Sequence, residues 1–113
     1  MRYADAMRFL AALALGEPSH FVDVARTADQ VGLDGLALSD HVVFPERLES
    51  KYPYAPDGKR FWELDAPWPD PWVTIGAMAA VTTRLRFLTN VFILPARNPF
   101  LVAKAVGTAA VLG

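Results

Sequence analysis

The chain has 113 residues, of which 53% are hydrophobic and 20% charged, and its formal net charge is −1. This composition predicts a folded globular core and excludes an intrinsically disordered chain. The 11 basic and 12 acidic residues are nearly balanced, so we expect a small-molecule partner, with neither nucleic acid nor a membrane surface. There are no cysteines, which excludes disulfides and thiolate metal ligands and fits a cytoplasmic protein.

The first predicted element is a strand, the apolar run from Phe9 to Leu15, which is followed by Gly16 and Pro18. A continuous apolar run of this kind is typical of a parallel strand that is covered on both faces. One alternative stays open, because Arg8 before the run and the alanines within it resemble a short signal peptide.

A helix and a second strand come next. Ser19 is placed to cap a helix whose apolar residues recur every three or four positions from Phe21 to Val31. Gly32 is expected to end that helix in the left-handed conformation. The short apolar segment from Gly35 to Ser39 then predicts the second strand.

A long insertion, residues 42–69, separates the second strand from the next helix. It holds five of the nine prolines and six aromatic residues, which predicts an ordered segment. The aromatic residues are Phe44, Tyr52, Tyr54, Phe61, Trp62 and Trp68. Since connections in α/β units usually have about 2–6 residues, a loop of this length is more often a functional lid than a spacer.

The strand–helix unit then repeats. Asp70 before Pro71 is a helix-capping signature and opens a helix through about Thr83. Leu85–Phe92 is the third predicted strand, and the same signature at 98–99 opens a third helix from Phe100 to about Leu112. Phe100, Ala103, Gly107 and Ala110 lie on one stripe of that helix. The order βαβαβα predicts a parallel sheet in either a doubly wound domain or a (β/α) barrel.

Polar residues with possible chemistry follow the second strand. His41 can exchange a proton near neutral pH, and the neighbouring Asp40 can orient it or stabilise its charged form. The alternative is that Asp40 only caps the loop and His41 packs against its aromatic residues. His20 lies at the start of a helix and is expected to be solvated.

The third strand carries a second polar interruption, Thr89-Asn90, which predicts either a backbone bulge or a solvated strand end. Arg97 in the following loop is expected to face water rather than an anion. No G-x-G-x-x-G or Walker sequence and no histidine pair at metal-binding spacing is present, so the sequence predicts neither a Rossmann or P-loop domain nor a metal site.

Several ordered motifs together resemble the luciferase-like monooxygenase superfamily, and within it the coenzyme F420-dependent oxidoreductases. The motifs are Leu38-Ser39-Asp40-His41-Val42 with Pro45, Tyr52-Pro53-Tyr54-Ala55-Pro56-Asp57-Gly58, Trp68-Pro69-Asp70-Pro71, Thr89-Asn90-Val91, and Leu94-Pro95-Ala96-Arg97-Asn98-Pro99. The resemblance covers nearly the whole chain from about Met7.

The resemblance implies an α/β fold, a (β/α)8 TIM barrel, which typically needs about 250 residues. Residues 1–113 then correspond to a single truncated domain made of the first three βα units of that barrel, with the insertion loop at 42–69. The later units, which in the family provide most of the contacts to the cofactor's phosphate, are outside this sequence.

The resemblance also implies roles for individual residues. His41 corresponds to the histidine near the reactive carbon of the deazaflavin, which shuttles a proton or steadies the substrate during hydride transfer, and Asp40 contacts the cofactor. Thr89, Asn90 and Val91 correspond to a bulge whose cis peptide, here Asn90-Val91, backs the central ring. Phe44 and Trp68 are expected to form the wall of the substrate pocket.

The expected function is hydride transfer between F420 and a small organic substrate, by a homo-oligomer when the chain is full length. One alternative within the superfamily is an FMN-dependent monooxygenase that activates oxygen. Another, from a different class, is a truncated α/β module with no catalytic activity. On either catalytic interpretation the chemistry of the redox step belongs to the cofactor, and the protein supplies position and charge.

Overall fold

The structure, a computed structural model, describes residues 7–113. Strands and helices alternate along these residues, as the sequence predicts. In chain order they are β1 (Leu10–Ala12), α1 (Phe21–Val31), β2 (Gly35–Leu38), α2 (Pro71–Ala79), β3 (Arg86–Thr89) and α3 (Pro99–Leu112). Short 3-10 turns at Pro18–His20 and Leu94–Ala96 precede α1 and α3.

The three strands form one parallel sheet in the order β1-β2-β3, with β2 in the middle. Gly35 of β2 is in register with Leu10 on one side and Arg86 on the other. The spatial order of the strands is therefore their sequence order, and their carboxyl ends meet along one edge of the sheet. The predicted α/β class and parallel sheet are confirmed.

The helices pack against one face of the sheet, because alternate strand residues point to opposite faces and one set enters the core. The core consists of Phe21, Ala25, Ala28, Leu36, Leu38, Ile75, Met78, Leu85 and Ala109. On the other face, Leu10 beside Gly35 is 44% exposed and Leu88 beside Ala37 is 51% exposed. Leu10 and Leu88 on this face therefore contact solvent, whereas Ala37 of the central strand is only 7% exposed.

The helix ends follow the predicted capping chemistry at three places. The Asp70 carboxylate accepts hydrogen bonds from the amides of Trp72 and Val73, and Asn98 caps α3 in the same way. Gly32 ends α1 at φ 81°, in the left-handed region. The predicted cap at Ser19 is wrong: residues 18–20 form the 3-10 turn, and it is Glu17 that accepts a hydrogen bond from the Ser19 amide.

Two predicted strands are longer than the observed ones. The segment Phe9–Leu15 forms a strand only over Leu10–Ala12, and all three residues are exposed rather than covered on both faces. The reason is that β1 lies at the edge of the sheet, while the helices pack mainly over the central strand, which is the only one of the three buried throughout. The third strand ends at Thr89 instead of Phe92, and the chain then turns.

The stripe of α3 formed by Phe100, Ala103, Gly107 and Ala110 is exposed at all four residues. Phe100 is exposed, and it is Ala109, with Val102 and Ala105 half-buried, that lies toward the core. This helix is apolar on nearly every face, with Lys104 as its one charged residue, so its pattern gives no amphipathic signal from which the packed face can be identified.

Candidate functional site

The candidate site lies where β2 and β3 end side by side. The Asn90 amide continues the pairing of these strands beyond β3 and donates to the Leu38 carbonyl at 2.7 Å. His41 follows Leu38 by three residues, so the two sequence-predicted segments, 39–41 and 89–91, occupy the same edge of the sheet. Parallel α/β folds place their ligands at this edge.

His41 is half-buried among aromatic side chains of the insertion. Its ring centroid lies 4.4 Å from Phe44, 4.5 Å from Trp68 and 5.5 Å from Trp62. Burial lowers the pKa of His41 below the ordinary value of a histidine, and the nearby Asp40 charge opposes this only in part. The lowered pKa favours the uncharged imidazole at neutral pH, and this form has a ring nitrogen able to accept a proton.

A cavity of about 660 Å³ opens beside this histidine, within the insertion. His41 and Phe44 line it, together with Trp62, and its rim carries the cationic residues Lys51, Lys59 and Arg60 and the acidic Glu63. Trp68 lies against His41 but is not among the residues that line the cavity. The structure therefore places Phe44 on the cavity wall and Trp68 behind the histidine.

The Asp40 side chain is only 1% exposed and points into the protein. Its Oδ2 accepts hydrogen bonds from Arg97 Nη1 at 2.6 Å and from the Ile93 amide at 2.9 Å. Its Oδ1 accepts one from Arg97 Nη2 at 2.9 Å. Both carboxylate oxygens are thus engaged by the segment that follows β3, while direct contact with a cofactor stays a prediction.

The expectation that Arg97 faces water is wrong. Its side chain is 16% exposed and also donates from Nη2 to Asp70 Oδ2 at 3.2 Å, and the guanidinium carbon lies 4.5 Å from the centre of the Phe92 ring. A planar guanidinium suits this position because its fork binds one carboxylate with two parallel hydrogen bonds while its face contacts an aromatic ring. Residue type and loop position did not reveal these partners, which come from three separate elements.

The segment at the end of β3 has the backbone geometry that the family resemblance implies. The Asn90–Val91 peptide is cis. Thr89 is half-buried, Asn90 is exposed, and the Val91 side chain is 68% exposed at the same edge as His41. These three residues therefore offer an apolar and polar surface that a planar ligand can contact, and their binding role stays a prediction.

Other expectations concern residues away from this edge. His20 is exposed, as predicted. Among residues 7–113, no group of three or more histidine, cysteine or acidic side chains is arranged to hold a metal ion. No helix in that range is long and apolar enough to cross a bilayer.

Sequence reasoning missed Trp62 as a residue of the site. It lines the cavity, approaches His41, and stands perpendicular to the rings of Tyr52 and Phe61. Its indole nitrogen is buried with no hydrogen-bond partner among the described residues, as is that of Trp68. The aromatic density of the insertion indicated such a cluster, but only the folded loop shows which rings reach the histidine.

Comparison with known proteins adds an independent line of evidence. The model of the luciferase-like monooxygenase family matches residues 4–113, beginning slightly before Met7, from which we expected the likeness to start. The uncharacterized protein Rv0940c of Mycobacterium tuberculosis is 40% identical over 106 residues, which are 94% of this chain and 37% of that protein.

A second relative from the same organism, the uncharacterized protein Rv0953c, is 30% identical over 84 residues, covering 74% of this chain and 30% of its own. The chain therefore spans only about a third of the length of the curated relatives that it matches. No solved structure matches it. Because the family model covers nearly every residue, the chain belongs to the luciferase-like monooxygenase family.

Proposed function

We propose that this chain is part of an oxidoreductase that transfers a hydride between coenzyme F420 and a small organic substrate. The observation that carries the proposal is the placement of His41, half-buried among aromatic rings, on the wall of a cavity at the carboxyl edge of a parallel sheet, where burial lowers its pKa. A neutral imidazole in that position can take up or return the proton that accompanies transfer of a hydride. Family membership supports the redox class of the reaction.

The residues at the edge of the sheet fit a planar deazaflavin or flavin ring. Val91 presents an exposed apolar side chain beside the exposed Asn90, and Thr89 stands next to them in the strand. These residues would hold the ring on one side, and the cavity with His41 and Phe44 would receive the substrate on the other. The cofactor, when bound, supplies the hydride chemistry. The aromatic side chains restrict water and the histidine holds the proton.

We further propose that residues 7–113 form the first three βα units of a (β/α)8 barrel. Each strand pairs with its neighbour in sequence, as in a barrel, and the helices cover only one face of the sheet. The opposite face, with Leu10 and Leu88 exposed, would point into the barrel. The greater length of the curated relatives agrees with this arrangement. The cytoplasmic location and the homo-oligomer stay predictions.

The decisive experiment is a binding titration of the intact protein with F420 and, separately, with FMN, followed by fluorescence of each cofactor. The proposal expects F420 to bind and FMN to bind much more weakly. Tight binding of FMN with no affinity for F420 would instead identify an FMN-dependent monooxygenase. If neither cofactor binds, the proposed activity is wrong, and the result favours the alternative of a non-catalytic α/β module.

A further inference from the structure

Arg97 connects the two ends of the insertion. Asp40 lies just before the insertion and Asp70 just after it, and one guanidinium bonds to both carboxylates. Arg97 itself belongs to the segment after β3. A single side chain therefore links the residues before and after the insertion to that segment.

The two contacts differ in strength. The contact with Asp40 is bidentate and nearly out of solvent, with side-chain exposures of 16% and 1%. The contact with Asp70 is a single hydrogen bond to a carboxylate that is 45% exposed and also caps α2 through its other oxygen. Because ion pairs held away from water keep a fixed geometry, the Asp40 end is the rigid one.

His41 directly follows Asp40, and the aromatic residues that hold the histidine belong to the insertion that Arg97 closes. The Ile93 amide adds a third hydrogen bond to the Asp40 carboxylate from the loop that begins at Asn90. The Asp40–Arg97 pair therefore joins the residue before His41 to the segment after β3, in addition to the backbone bond between Asn90 and Leu38.

We propose that Asp40 and Arg97 are positioning residues: their ion pair sets His41 and the cavity wall against the end of β3, and Asp40 acts on a bound cofactor only through Arg97. The cofactor part of this statement rests on the proposed function. It differs from the role that the family resemblance implies for Asp40, because no carboxylate oxygen is left without a partner from the protein.

The pair also has an electrostatic consequence for the histidine. The Asp40 charge favours the imidazolium form of His41, while Arg97 neutralises that charge and burial favours the uncharged form. The charged residues that line the same cavity as the histidine are Lys51, Lys59, Arg60 and Glu63. Loss of either member of the pair is therefore expected to move the pKa of His41, and in opposite directions.

The first experiment measures the pKa of His41 by NMR titration of the intact protein without cofactor. Asp40→Asn is expected to lower this pKa and Arg97→Gln to raise it, each by about 0.5–1 pH unit. The matched control is Arg26→Gln, which removes an exposed arginine–aspartate pair on α1 and should leave the pKa of His41 unchanged. An unchanged pKa in both site variants would overturn the proposal.

The second experiment is a double-mutant cycle on the dissociation constant of F420, with FMN as the second probe. If Asp40 acts only through Arg97, Asp40→Asn weakens binding roughly tenfold in the native background and has little further effect beside Arg97→Gln. If Asp40 touches the cofactor itself, the same loss recurs in both backgrounds, and the positioning role is wrong. A native protein that binds neither probe refutes the proposed function, while the histidine titration still tests the pair.

Two further variants keep the test decisive if Arg97→Gln fails to fold with Asp40 buried and unpaired. The double variant Asp40→Asn/Arg97→Gln removes both charges together, and its His41 pKa should lie between those of the single variants or near the native one. Asp70→Asn keeps a good helix cap while weakening only the exit contact, so it should alter the pKa of His41 much less than Asp40→Asn. An equal shift from Asp70→Asn would contradict the assignment of the rigid contact to Asp40.

Discussion

The Asp29 carboxylate accepts hydrogen bonds from both the amide and the hydroxyl of Thr83, each at 3.1 Å, across 54 positions of sequence. The amides of Arg84 and Leu85 donate to the other carboxylate oxygen at 3.0 and 2.9 Å. Arg84 closes the contact by donating from Nη2 to the Asp29 carbonyl at 2.7 Å. One residue of α1 thus holds the turn from which β3 starts.

This contact predicts a stability effect that depends on pH. Desolvation disfavours the charged form of Asp29, but hydrogen bonds from residues 83–85 outweigh it and lower the pKa of this carboxyl below the ordinary aspartate value. Because the pKa of Asp29 is lower in the folded state than in the unfolded state, its carboxylate stabilises the fold at pH values above the ordinary aspartate pKa. This contribution is lost as the pH falls through the lowered, folded-state pKa. We expect Asp29→Asn to lower the urea midpoint of the intact protein at pH 7.

The difference in urea midpoint between Asp29→Asn and the native protein should shrink as the pH falls below the ordinary pKa of an aspartate. Asp23→Asn is the matched control, because Asp23 is an exposed acidic residue on the same helix whose carboxylate bonds only to Arg26 among the described residues. An equal loss of stability in both variants at neutral pH would contradict the role assigned to the Asp29 contact.

The proposed proton transfer predicts the behaviour of a histidine variant. His41→Asn should lower turnover of the intact enzyme by roughly 10²–10⁴-fold, the range of general acid–base groups, while the thermal transition changes little. Steady-state kinetics with F420 and circular dichroism measure the two effects. His20→Asn is the control, since His20 is exposed at the start of α1. Turnover that is unchanged in His41→Asn would leave the histidine a packing residue.

Gly35 predicts a steric effect at the centre of the sheet. A Cβ atom at this residue would lie 2.6 Å from the Arg86 carbonyl oxygen and 3.1 Å from Leu10, so neighbouring backbone would have to move. We expect Gly35→Ala to destabilise the protein by about 1–3 kcal/mol, the usual cost of overpacking.

The matched control for Gly35→Ala is Gly107→Ala, where a Cβ atom meets nothing within 4 Å inside α3. This substitution should stabilise the helix by up to about 1 kcal/mol, because alanine is the better helix former. Urea denaturation compares the two variants. If both substitutions changed the stability by a similar amount and in the same direction, the close contact at Gly35 would not be the cause of the effect of Gly35→Ala.

The uncovered face of the sheet predicts association of residues 1–113 when they are produced alone. The edge strands have unpaired backbone groups, and Leu10 and Leu88 expose apolar surface. Size-exclusion chromatography with light scattering should find oligomers or aggregates, and Leu88→Lys should reduce them. In the intact protein the same substitution should destabilise the fold, because the proposed barrel interior would bury the charge. A monodisperse native monomer would argue for a self-sufficient module.

Local signals in the sequence predicted the element order and two helix caps well. Asp70 and Asn98 are each followed by a proline and accept hydrogen bonds from amides two and three residues later. These helix caps can therefore be recognised from the local sequence alone. The Arg97 contact could not be predicted in this way, because its partners lie 57 and 27 positions away and meet only when β2, β3 and α2 are assembled.

In the candidate site, too, some features were predictable from the local sequence and others depend on the assembled fold. The polar residues at the ends of two apolar strands brought His41 and Asn90 to attention, the family resemblance added their roles, and the parallel sheet shows that their segments meet at one edge. The inward orientation of Asp40 was not predictable from its position after a strand, since an exposed and a buried carboxylate share the same local sequence pattern. Burial depends on what covers the residue, and here the cover comes from the loop after β3.

The strand order β1-β2-β3 bears on how the molecule reaches its folded state. The second and third strands each pair with the strand that precedes them along the chain, and α1 and α2 are the helices that connect them. Each pairing partner is therefore already synthesised when the next strand leaves the ribosome, at about 5–20 residues per second. Assembly can proceed from the amino terminus by successive addition of a strand and a helix. At each stage the unpaired edge of the last strand is the surface that chaperones would have to protect.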